Sequence, residues 1–179
     1  MRISSIIASA IITIFLAVNI SFAASAVELM NEGKMNLYNG NIQEGIRLLE
    51  ESEKMDNTNL ITKLLLAKGY SWNNEWDKAK KYYGNVTGLS SPSKQIYWEG
   101  KFGIAQVTSW EKKYDEALKL YGEILASDAD LSDGLLLDVK LAIGDIYSWQ
   151  LEYVKAIEHF KKLLEEKPGN TVILNRIAK

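Results

Sequence analysis

The chain repeats itself. Three segments align without a gap: Tyr70–Ala79, Thr108–Ala117 and Tyr147–Ala156. Each carries Ser-Trp (Ser71-Trp72, Ser109-Trp110, Ser148-Trp149), an aromatic residue four positions after the tryptophan (Trp76, Tyr114, Tyr153) and an alanine three positions later (Ala79, Ala117, Ala156). Composition alone does not place a dipeptide, a ring and a methyl at one spacing three times. A weaker fourth copy precedes them, with Gly45 in the alanine's place 34 residues before Ala79, and the later alanines follow at intervals of 38 and 39. A unit of this length, rich in Leu, Ala, Lys and Glu and poor in proline, reads as a pair of helices that cannot bury its apolar face alone and must stack on a neighbour.

With this period and these small residues the chain resembles the tetratricopeptide repeat family over essentially all of residues 27–179. The resemblance implies an all-α fold: a right-handed α-solenoid of about four helix-turn-helix units, near 27–58, 59–92, 93–130 and 131–169, closed by a partial capping helix at 171–179. The small residue within each first helix is Gly33, Ala67, Ala105 and Gly144, and the one opening each second helix is Gly45, Ala79, Ala117 and Ala156. Small side chains belong there because the two helices cross closely. Four positions on, Leu49, Tyr83, Tyr121 and Phe160 fill the space beside the crossing. Two features depart from the family pattern. The closing proline is present only as Pro168, with Asn57 in its place in the first unit and Pro92 displaced by one in the second; the bulky residue near the first helix's start is Leu29 in the first unit but Lys63, Lys101 and Lys140 afterwards.

The expected helices are 28–39 with 42–55, 60–72 with 75–87, 93–110 with 113–126, and 133–149 with 152–166. Ser91-Pro92 and Ser132-Asp133 read as starts, and Pro168-Gly169 as a stop. The tail from Thr171 begins another helix whose Leu174, Ile177 and Ala178 sit where a fifth unit would place apolar residues. It is either a cap or the opening of a longer array.

Before the repeats, Met1-Arg2 is basic, Ile3–Ile20 is mostly apolar and Ser21–Ala26 is small. This is the three-part pattern of a cleavable secretory signal over residues 1–26, with Ala24-Ser25-Ala26 as the small-x-small cleavage site. The alternative is an uncleaved membrane anchor, but Ser4, Ser5, Ser9, Thr13 and Asn19 interrupt the apolar stretch. No second apolar run of 18 residues follows, so no membrane span is expected after cleavage. Export would place the protein in the periplasm or outside the cell.

Several chemistries are excluded by composition. With 0 Cys and 1 His there is no disulfide framework, zinc knuckle, thiol nucleophile or histidine cluster. Lys+Arg number 21 against 23 Asp+Glu, interspersed throughout, which offers no concentrated basic surface for nucleic acid. His159 has no Ser-His-Asp spacing around it and reads as a surface residue. Glu50-Glu51 and Glu165-Glu166 read as solvated faces beside Lys54, Lys161 and Lys162, because neighbours on a helix point about 100° apart. No phosphate-binding loop or EF-hand loop occurs. No enzyme and no cofactor is expected.

The resemblance further implies that each first helix lines a concave groove. One row is then Met30, Leu64, Phe102 and Leu141; the next is Lys34, Lys68, Gln106 and Asp145; the helix ends give Tyr38, Trp72, Trp110 and Trp149. An apolar row beside one running from lysine to aspartate suits a peptide, the polar row setting its direction. Leu65 occupies the place of an asparagine that a carboxylate-clamp groove requires, so that version is not expected. The tryptophans have two readings: indoles packed across unit boundaries, or an aromatic ladder that stacks on sugar rings or anchors a partner. The repeated Ser-Trp pattern is also similar to secreted tetratricopeptide arrays of bacterial envelope and polysaccharide-export proteins. That implies a periplasmic scaffold with a protein partner in the cell envelope, or a polysaccharide.

Overall fold

The computed structural model describes residues 25–178, and all its regular structure there is helical. Helix α1 covers 25–38 and is followed by α2 (Ile42–Met55), α3 (Leu60–Trp72), α4 (Trp76–Leu89), α5 (Gln95–Trp110), α6 (Tyr114–Leu125), α7 (Asp133–Trp149), α8 (Tyr153–Glu166) and α9 (Thr171–Ile177). The expected helices are present, with ends displaced by at most three residues.

Each helix pair is joined by the same device. In a Schellman closure, the amide two residues past the helix end bonds back five residues and the one before it bonds back three. Glu75 N donates to Tyr70 O (2.9 Å) and Asn74 N to Ser71 O (3.2 Å). The same pair of bonds recurs at Asn41/Gly40, Lys113/Lys112 and Glu152/Leu151. The closure requires a left-handed residue, and φ is +86° at Gly40, +60° at Asn74, +64° at Lys112 and +63° at Leu151.

Helix starts follow local chemistry where a side chain can reach the free amides. Asn59 accepts from Ile61 N and Thr62 N, Ser132 from Leu135 N, and Asn170 from Val172 N and Ile173 N. Ser91-Pro92 does not start a helix as expected. Ser91 Oγ accepts from Ser93 N, and Trp98 Nε1 donates to Pro92 O at 2.7 Å; together they hold a turn, and α5 begins at Gln95.

The chain forms two compact units, divided between Tyr82 and Tyr83. In the first, Leu37, Ile46, Leu48, Leu49, Leu64 to Ala67, Tyr70 and Ala79 are buried. Gly33 and Gly45 face each other across the α1–α2 crossing: a Cβ on Gly33 would lie 2.8 Å from Leu49 Cγ, and one on Gly45 would lie 2.9 Å from Gly33 O. In the second unit, Ala105, Ala117, Tyr121, Ile124, Leu131, Leu135, Val139 and Ile146 make one core. Leu141, Ala156, Phe160, Leu163 and Ile173 make another. Gly144 admits the Phe160 ring, which a Cβ there would meet at 2.4 Å.

Helix α9 packs on α8 through Ile173 and Ile177, and its Arg176 reaches Asp145 of α7. Ile173 is fully buried and Leu174 is exposed, so the buried face is one residue earlier than expected. Residues 1–24 of the expected signal lie outside the described residues. Its last residue, Ala26, is buried in α1, and its carbonyl accepts the Ser52 hydroxyl at 2.8 Å. Among the described residues no helix is long and apolar enough to cross a membrane.

Candidate interaction surface

In the first unit the three first-helix rows have three different exposures. Lys34 is exposed and Met30 half-buried, whereas Leu64 is buried. Lys68 is half-buried. At the helix ends Tyr38 and Trp72 meet edge to face, ring centroids 5.5 Å apart, yet stay 58% and 39% exposed. This aromatic pair stands at the surface, outside the buried core.

In the second unit Leu141 is likewise buried, within the Phe160 core, and Phe102 leans on Tyr121 at 5.7 Å. The apolar row is therefore largely core. A side chain on the inner face of a first helix is covered when the next helix crosses over it, and sequence spacing does not report where that crossing falls. Gln106 and Trp110 are half-buried. Asp145 is engaged by Arg176 of α9 in a two-point pair, Nε to Oδ1 at 2.7 Å and Nη2 to Oδ2 at 3.2 Å. The expected gradient from lysine to aspartate thus ends in a neutral pair. Trp149 is 45% exposed, with the Tyr114 ring 6.3 Å away and tilted by 35°.

Of three further groups, Glu50 and His159 differ from the sequence expectation, whereas Glu166 stays 53% exposed. Glu50 is not a solvated carboxylate: it accepts the Tyr70 hydroxyl, while Glu53 accepts Tyr82 Oη at 2.7 Å and Lys63 Nζ at 2.6 Å. Tyr70 and Tyr82 stack with centroids 5.5 Å apart. Burial, and then the adjacent carboxylates, push both phenols well above the usual tyrosine range. Glu166 is bonded by Lys140, which holds its carboxyl below the usual range. His159 is half-buried, its Nε2 2.7 Å from Lys140 O and its ring edge-on to Tyr147 and Phe160; it ties α8 to α7.

Three first-helix lysines share a role. Lys63, Lys101 and Lys140 each reach a glutamate on a second helix: Glu53, Glu123 (3.1 Å) and Glu166 respectively. Each ammonium is neutralised while its side chain stays largely out of water, at 9%, 25% and 32% exposure. Among the described residues no group of three acidic, histidine or cysteine side chains is placed to hold a metal ion.

No protein-family model and no curated protein matches the chain. Solved structures do. It is similar to MamA AMB-1 (TM-score 0.57, 18% identity, covering 86% of this chain and 79% of that one). It is similar also to MamA MSR-1 (0.58, 18%, 86% and 83%) and to the MamA RS-1 ArsTM double mutant (0.60, 17%, 86% and 81%). The fold is that of a tetratricopeptide solenoid. At this identity the likeness is one of fold, and the surface described above is this chain's own.

Proposed function

We infer that this protein is a non-catalytic scaffold whose first-helix surfaces bind a protein partner, and that it is exported to the periplasm or beyond, where it serves envelope assembly or export. The observation that carries the reading is the Tyr38–Trp72 pair. Large aromatic rings left partly in water, one turn from Lys34 and outside the buried core, are the material of binding hot spots. The tetratricopeptide fold supports it, because stacked helix pairs present first-helix faces rather than a single enclosed pocket. The export part rests on the signal pattern of residues 1–26.

The test is capture from envelope extract by the full chain beside a Tyr38→Ala/Trp72→Ala variant checked for folding by circular dichroism. A protein held by the first and lost with the second supports the reading; capture that the variant leaves undiminished, or no capture, refutes it. Serine at Leu64 or Leu141 is unsuitable, since both are buried and the change would unfold the chain. Fractionation with N-terminal sequencing tests export: an intact Met1 on the purified protein would replace the exported scaffold with a membrane-anchored one.

A further inference from the structure

At the C-terminal end of the second unit, Asp145, Ser148, Trp149, Tyr153 and Arg176 line an open cavity of about 400 Å³. A neighbouring cavity of about 460 Å³ shares Ser148, Tyr153 and Arg176 and continues over Ile157, Phe160 and Ile177. Volumes of this order accommodate small-molecule ligands, and the shared lining makes a trough with room for consecutive units of a linear one.

Three properties of the lining narrow the ligand. First, Trp149 and Tyr153 are 45% and 58% exposed, and Tyr114 flanks the indole, so flat apolar surface is presented without closing the core. Second, among the described residues the charged groups lining the first cavity are Asp145 and Arg176, which neutralise each other. An anionic ligand would have to compete with Asp145 for the guanidinium and a cationic one with Arg176 for the carboxylate; both are disfavoured. Third, that pair is only partly buried, with side chains 22% and 33% exposed, so carboxylate lone pairs and guanidinium N–H groups still face the trough. A neutral sugar ring has the matching chemistry: an apolar C–H face for the rings, and a rim of hydroxyls that both donate and accept.

We propose that this trough is a binding site for a neutral linear oligosaccharide, with Trp149 and Tyr153 as platforms and the Asp145–Arg176 pair bonding the hydroxyl rim. It narrows the polysaccharide alternative from three tryptophans to one end of the second unit, and it does not depend on the protein-partner reading, which turns on Tyr38 and Trp72.

The test is calorimetric titration of the full chain with cellohexaose, chitohexaose and maltohexaose, and with hexagalacturonate as the acidic probe. At least one neutral hexasaccharide should bind. Trp149→Ala should weaken it tenfold or more, Arg176→Lys, which keeps the charge but loses the two-point geometry, should weaken it severalfold, and Trp72→Ala should leave it unchanged. Tyr153→Ala gives a second, independently folded variant, since that ring is mostly in solvent. No binding of any neutral hexasaccharide, binding indifferent to Trp149→Ala, or preference for hexagalacturonate would each overturn the proposal. No protein capture by the full chain, or capture that Tyr38→Ala/Trp72→Ala leaves undiminished, with saccharide binding intact, would sink the scaffold reading alone.

Discussion

The two units build the same helix pair with different materials. Residues up to Tyr82 close their turns on Gly40 and Asn74, the two residue types that enter the left-handed region most readily, and tie α2 to α3 and α4 through carboxylates: Glu50 to Tyr70, Glu53 to Tyr82 and Lys63. Residues from Tyr83 onward close on Lys112 and Leu151, which enter that region at a cost, and rely on rings sunk in apolar surroundings, Tyr121 and Phe160. The turn conformation is the same in all four closures, although the residues that adopt it differ widely in their preference for it. Packing of the two helices therefore imposes the turn, and the turn residue only sets what it costs.

That contrast predicts where each unit breaks. The largest effect belongs to the second: Phe160→Ala empties the space beside Gly144 and should cost about 3–5 kcal/mol in thermal or denaturant melts. A loss below about 1 kcal/mol would mean that the apolar core does not carry this unit. Next is the first unit's ion pair. Lys63 is 7% exposed, and Lys63→Ala strands Glu53 in a largely dry site, an expected loss of about 2 kcal/mol. Lys63→Leu combined with Glu53→Leu should recover only part of it, because two apolar side chains leave no charge unpaired but the Tyr82 hydroxyl loses its acceptor.

Tyr82→Phe should cost about 1.5 kcal/mol at neutral pH, the worth of a hydrogen bond to a carboxylate. Its pH dependence sharpens the comparison. The folded phenols of Tyr70 and Tyr82 have raised pKa values, so their contribution is complete below the unfolded value of about 10 and is lost as pH rises beyond it. In Tyr70→Phe/Tyr82→Phe the alkaline fall in melting temperature should be shallower than in the parent; an equal fall would assign alkaline unfolding elsewhere, with Tyr121 of the second unit, whose phenol burial also raises, the next group to replace. Smallest, and of opposite sign, is Leu151→Gly. Relieving a left-handed leucine should raise stability by about 1 kcal/mol, while Gly40→Leu should lower it by a similar amount. If Leu151→Gly is neutral or destabilising, the second unit's turn is not strained and that part of the contrast fails.

The helices could be read from the chain because helix formation is local. Apolar residues recurring at helical spacing and the cap at Ser132 act within a turn or two of where they stand, and the small residues Gly33, Gly45 and Gly144 recur at a fixed place in each repeat. The start expected at Ser91-Pro92 was taken over by a contact six residues away, from Trp98 to the Pro92 carbonyl. The candidate surface was less readable. Leu64 and Leu141 occupy groove positions by spacing but are buried by neighbouring helices. Glu50, read as solvated, faces a tyrosine 20 residues on, and Asp145 faces an arginine 31 residues on, in a helix of only 7 residues.

The sequence thus settled the repeat: its period, its helix pairs and the small residues at their crossings, because helix signals act over a few residues and the small residues recur at the same place in each unit. The tertiary structure alone decided which first-helix side chains meet water, which lysine meets which glutamate, and that the Asp145 carboxylate is neutralised rather than free. Those depend on the register between helices, which backbone crossing geometry sets and the periodicity of any one helix does not encode.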